Sequence, residues 1–162
     1  MKIIESQLIP IAQRNDFWNE HWGSSEMVIS TGVYSVDMLE GYAALNEYGE
    51  IRGYITYVMD ESRCEVISLD SLDENKGIGS ALLRRVEDTA RQANQTNIQV
   101  ITTNDNLHAL HFYQKRGYQI IRVYPDAVAK ARAVKPSIPL VSDQGIPIRD
   151  ELLLQKILIP NT

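Results

Sequence analysis

The chain is short of several things. Its 162 residues include one cysteine, Cys64, which excludes an internal disulfide. Basic residues are outnumbered, 16 Lys and Arg against 21 Asp and Glu, for a net charge of -5. That balance argues against nucleic acid as a partner, because phosphate backbones select basic faces. It suits a cationic substrate better. No run approaches the ~20 apolar residues of a membrane-spanning helix, so no membrane partner is expected. The opening MKIIESQLIP lacks the apolar stretch of a signal peptide, and a cytoplasmic protein is expected. Internal repeats, low-complexity tracts and long linkers are missing too, so 1–162 reads as one domain. His108 and His111 share a helix face, but two imidazoles without further ligands do not make a zinc site, and no metal is expected.

What is present is an ordinary globular chain, 44% hydrophobic, long enough to bury a sizeable core. MKIIES suggests a strand. Residues 11–22 suggest a helix with Ile11, Phe17, Trp18 and Trp22 on its apolar side. MVISTGVYSV is mixed. Two β-rich runs flank Glu47-Tyr48-Gly49-Glu50, the mark of a hairpin, and CEVISLDSL is a third strand rich in branched residues. Ile78, Leu82, Val86 and Ala90 fall four apart, with Leu83 and Ala93 beside them. They define the buried face of a helix whose wet side is Arg84, Arg85, Glu87 and Asp88. NIQVITT reads as a buried strand. Asn104-Asp105-Asn106 supplies cap residues for a helix over 107–116 that stops at Gly117. YQIIRVY is a strand, DAVAKARAV a short helix ended by Pro136, KPSIPLVSDQGIPI a loop and RDELLLQKIL a last strand. Strands, helix, strand, helix, strands is the order of an α/β or α+β fold with one mixed sheet.

The stretch DENKGIGSALL poses the functional question, because glycines at the mouth of a helix bring something close to the backbone. A Walker loop needs G-x-x-x-x-G-K-[ST], which is absent. A dinucleotide fingerprint needs a third glycine or alanine where Leu82 stands. For an isolated G-x-G such as Gly77-Ile78-Gly79, a plain tight strand-to-helix turn is the commoner explanation. The physics favours an anion: the first helical N–H groups lack intrahelical partners, the dipole adds positive charge, and glycine removes the Cβ that would hold a phosphate away.

CEVISLDSLDENKGIGSALL followed by TTNDNLHALHFYQKRGY resembles the GNAT family of acetyl-CoA-dependent N-acetyltransferases. The family's Q/R-x-x-G-x-G/A turn reads here as Glu74 to Gly79, with Glu74 in place of Gln or Arg. Its second element reads Asn106, Ala109, Phe112-Tyr113, Gly117 and Tyr118. The resemblance is strong over 65–118 and looser outside. It implies a mixed, mostly antiparallel, V-split sheet flanked by helices, and acetyl-CoA lying between the strands CEVISLDSL and NIQVITT. Backbone near Leu69, Ser71 and Leu72 would pair with pantetheine amides. Asn75, Lys76, Gly77, Ile78, Gly79 and Ser80 would cradle the pyrophosphate, and Asn104 and Asn106 would hold the pantetheine arm. For Asn104, helix capping is an equal explanation.

The implied reaction is attack of a neutral amine on a thioester. An amine of pKa near ~10.4 must lose a proton to a base, and the leaving thiolate gains from an acid. Tyr113 matches the family's general acid, although a core aromatic would look the same. For the base, Glu65 and Asp70 compete. Strand alternation sets them on opposite faces unless a bulge intervenes. Tyr34, Tyr54, Tyr57, Trp18 and Trp22 are either pocket or core. Cys64 beside Glu65 suggests an acetyl-enzyme, but without a positioned histidine a buried thiol is expected. Lys130, Arg132 and Lys135 are solvated surface or a contact to the CoA phosphates. The resemblance thus implies acetyl transfer to a small-molecule or peptide amine. A non-catalytic acyl-CoA-binding module and a protein lysine or N-terminal acetyltransferase are the alternatives. The acceptor, the acyl chain length and the oligomeric state, a homodimer included, stay open.

Overall fold

The structure, a computed structural model, describes residues 1–159. In chain order the elements are β1 (Lys2–Glu5), α1 (Ile11–Trp22), β2 (Glu26–Ile29), β3 (Gly32–Ser35), β4 (Glu40–Leu45), β5 (Ile51–Met59), β6 (Cys64–Ser71), α2 (Ile78–Gln92), β7 (Asn97–Thr103), α3 (Leu107–Lys115), β8 (Gln119–Tyr124), α4 (Ala127–Val134) and β9 (Glu151–Ile157). The fold is α/β: seven strands form a mixed sheet flanked by the four helices, and β2 and β3 pair separately. The mixed stretch MVISTGVYSV thus resolves into two short strands. Among the described residues no helix is long and apolar enough to cross a membrane.

The chain divides into two compact units. The first spans 1–26 and 35–98 and ends with the residues from Leu158 on. Its strands lie in the order β1-β4-β5-β6, all antiparallel. The expected hairpin joins β4 to β5 through Gly49 at φ 76°. One face carries α1, whose Phe17 and Trp18 pack on Tyr54 with ring centroids 5.6 and 4.9 Å away. The other carries α2, anchored by Ile78, Leu82, Leu83, Val86 and Ala90, all buried. At Gly53 the helix comes so close that a Cβ would collide with Ile78 Cγ2 and lie 3.0 Å from Leu82 Cδ1. Two expectations for this helix fail. Glu87, assigned to the wet side, is buried, and Ala93, assigned to the core side, is exposed at the C-cap. The buried arc extends past the four-residue stripe to position 87, one place from Val86, and the stripe ends before the helix does.

The second unit spans 27–34 and 99–157. Here β9 lies beside β8, its antiparallel partner. Arg132 on α4 donates to Ile138 O, Pro139 O and Ile148 O at 2.7–3.0 Å. It therefore ties down the loop between α4 and β9, a task the sequence reading did not give it.

Candidate active site

The chain enters α2 through two left-handed residues, Asn75 at φ 62° and Gly77 at φ 74°. Asparagine and glycine are the residues that tolerate this conformation. Gly77 is the N-cap, and no side chain caps the helix. A Cβ built on Gly77 would meet nothing within 4 Å, so the space over the first turn is open. Polar residues lead up to it without filling it. Asp73 is held by Arg52 through Nε and Nη2, at 2.9 and 2.6 Å. The guanidinium keeps the Asp73 carboxyl below its ordinary range. Glu74 is exposed, as are Asn75 and Lys76.

Strand β6 brings both candidate bases to this unit. Its register against β5 slips between Thr56, opposite Ser68, and Tyr57, opposite Val66. Ile67 is the extra residue, a β-bulge. Glu65 then faces Val58 and Asp70 faces Tyr54. Since Tyr54 and Val58 share a face, so do Glu65 and Asp70: the bulge supplies the condition under which simple alternation fails. Their surroundings differ. Glu65 is fully buried and lies 3.6 Å from Arg63 Nη1. Asp70 is half-buried and accepts a hydrogen bond from the indole N–H of Trp22. Burial raises the Asp70 pKa, against the opposing pull of Trp22 and His21.

The backbone of β6 sorts the expected pantetheine contacts. Leu72 N donates to Arg52 O at 2.9 Å, so that group is occupied, contrary to expectation. By the alternation of an antiparallel ladder, Asp70 also turns its amide to β5. Leu69 and Ser71, opposite Ile55 and Gly53, turn theirs away from it.

In the second unit Asn106 is the cap of α3, accepting from Ala109 N at 3.0 Å. Asn104 does not share that role. Its amide donates to Pro147 O at 2.9 Å and accepts from Arg149 N and Asp150 N at 3.0 and 2.9 Å, which fixes the entry to β9. Tyr113 is buried on α3, edge-on to Phe112 and Tyr118 at 5.1 and 5.3 Å.

The sequence of the Bacillus subtilis (strain 168) protein YxbD, itself described as uncharacterised, is 54% identical over 156 residues, which cover 96% of this chain and 98% of that one. The sequence pattern of the acetyltransferase (GNAT) family matches residues 11–118. This chain belongs to the GNAT acetyltransferase family. Two solved structures share its fold. One is the IAA acetyltransferase from Bacillus cereus ATCC 14579, at TM-score 0.69 and 20% identity over 97% of this chain and 100% of that one. The other is a GNAT family acetyltransferase from Elizabethkingia anophelis with acetyl-CoA bound, at TM-score 0.64 and 24% identity over 74% and 76%.

At the turn into α2 no side chain caps the helix and the space at Gly77 is open, a geometry that leaves the first N–H groups available to an anion. Other candidates recede. Trp18 and Tyr54 are fully buried, hence core, whereas Tyr57, nearly buried, lines a small cavity with Tyr42 and Gly41. Cys64 is buried, and burial together with the charge of Glu65 pushes its pKa up to about 12, which leaves no thiolate for an acetyl-enzyme. His108 and His111 are exposed, and among the described residues no cluster fit for a metal ion forms. The sequence reading missed the roles of Arg52 and Arg63. Arg52 sits near Asp73 only once strands pair, which no local motif announces, whereas Arg63 lies two residues from Glu65 and i,i+2 strand alternation could have suggested that pair.

Proposed function

We propose that this chain is an N-acetyltransferase, one domain over 1–162, that transfers acetyl from acetyl-CoA to a primary amine by direct attack in a ternary complex. The observation that carries the reading is the turn into α2: two left-handed residues, no capping side chain, and open space at Gly77. Backbone N–H groups of residues 76–80 would hold the pyrophosphate, with Lys76 adding charge, and Leu69 and Ser71 would offer backbone to the pantetheine arm. Asn106 lines that arm while capping α3. Asn104 would hold that arm from the same side, in addition to its bonds to 147–150.

Asp70 is the better base of the two. It is half-exposed where Glu65 is fully buried, and a raised pKa makes a carboxylate a stronger proton acceptor. In the reaction the amine nitrogen forms a bond to the thioester carbon and the C–S bond breaks. One N–H proton passes to Asp70, and the sulfur takes its proton from Tyr113. A small-molecule or peptide amine acceptor and a cytoplasmic setting complete the proposal.

An acceptor screen at fixed acetyl-CoA, read as free thiol, tests it. Turnover with some small amine supports the reading. Acetyl-CoA binding without turnover on any amine or peptide favours an acyl-CoA-binding module instead. Preference for peptides over small amines makes it a protein-modifying enzyme. Tyr113→Phe should lower kcat by ~10²–10⁴ with little change in acetyl-CoA affinity. An unchanged kcat returns Tyr113 to the core.

A further inference from the structure

Trp22 stands 48 positions from Asp70, yet its indole N–H meets one oxygen of that carboxylate, Oδ2. The core holds the ring in place. Trp18, one turn earlier and fully buried, meets Trp22 edge-on at 5.9 Å. Trp18 itself packs on Phe17 at 5.2 Å and on Tyr54 at 4.9 Å. Gly23, left-handed at φ 72°, ends α1 directly after Trp22. A series of packed rings therefore runs from the core to the carboxylate, while Trp22 as a residue stays 42% exposed.

We propose that Trp22 is a positioning residue for acetyl transfer: its indole N–H fixes Oδ2 of Asp70, so that Oδ1 is presented to the acceptor amine. The proposal rests on the reading of Asp70 as the base. An indole N–H donates only. It cannot take the proton itself, and it favours the ionised carboxylate, the form able to act. The other groups facing Asp70 do not duplicate the role. His21, also on α1, contributes charge. Tyr54 lies directly across on β5. Ser68, on the same face of β6, is bonded to Thr56 at 2.5 Å.

Two measurements on the whole chain test this. The indole ¹⁵N–¹H resonance of Trp22 in the unmodified protein should titrate with the midpoint of the acidic limb of kcat/KM, and it should still do so in His21→Asn. Trp22→Phe keeps a ring and removes the donor. It should move that limb up by ~1 pH unit and leave the KM for acetyl-CoA unchanged. An indole resonance indifferent to pH across the limb overturns the proposal, as does an unmoved limb in Trp22→Phe when Asp70→Asn is inactive. Full activity in Asp70→Asn overturns the base assignment, and the positioning role falls with it.

Discussion

Helices α2 and α3 both begin where a strand has just ended, and they treat that beginning in opposite ways. At α3 the Asn106 side chain closes the end, accepting from Ala109 N. At α2 a left-handed glycine stands in the cap position, no side chain caps the helix, and the space beside it is open. A capped end is complete in itself. An uncapped one keeps its donors and its dipole for an anion. One asparagine against one glycine thus decides whether the first-turn donors are satisfied by the chain itself or left open.

The largest expected effect breaks the open end. Gly77→Val places a β-branched residue at φ 74° and fills the approach, so acetyl-CoA should no longer raise the melting temperature. In the unsubstituted chain, ligand at ~100 Kd should add roughly 2.7 kcal/mol of stability. Gly77→Asn separates crowding from strain, because asparagine tolerates the left-handed region. Binding lost there too is due to crowding. Next, Asn106→Ala removes the cap of the closed end and should cost ~1 kcal/mol in urea unfolding, with Asn106→Ser close to the parent. If Asn106→Ala costs nothing, the contrast between the two ends is false.

The approach to the open end gives a subtler test. Asp70 and Asp73 are shifted in opposite directions. Burial raises Asp70 in the folded state, so its contribution is fully present below the unfolded pKa and is lost as pH rises through the folded one. Arg52 lowers Asp73, whose contribution is present above the unfolded pKa and lost as pH falls through the folded value. As pH rises above the unfolded carboxylate pKa, Asp70→Asn should therefore gain in melting temperature relative to the parent, whereas Asp73→Asn should show a steady deficit there that closes only as pH falls below that value. Parallel trends would mean that one of the two environments is wrongly described. The smallest effect belongs to Glu74→Gln. That side chain is exposed, and acetyl-CoA affinity should change by less than ~1 kcal/mol. A large loss would place a side chain, not the backbone, at the centre of phosphate binding.

Much of this was legible in sequence. The helix over 11–22 and the strand and helix around Gly77 follow from periodicity and turn residues, and local rules suffice there because the signals are local. What escaped depends on pairing across the chain. The extra residue at Ile67 exists only as a mismatch between β6 and β5, and it alone decides that Glu65 and Asp70 share a face. Asn104 carries the same residue type as Asn106, yet its partners lie at 147–150, beyond any capping rule. Glu87 looked solvated because it is charged, and the breadth of the surface under α2 was not visible from the helix itself.

Gly53 has a consequence for how this protein can drift in sequence. The helix that carries the turn rests on β5 where a side chain is missing, with Ile78 and Leu82 seated against the bare backbone. Ile78 is the first residue of that helix. One added methyl at position 53, far along the chain from the turn, would push on the residue next to Gly77 and alter the standoff between helix and sheet. If the turn holds an acyl-CoA phosphate as proposed, selection should act on position 53 as strictly as on Gly77, although no ligand atom need ever touch it.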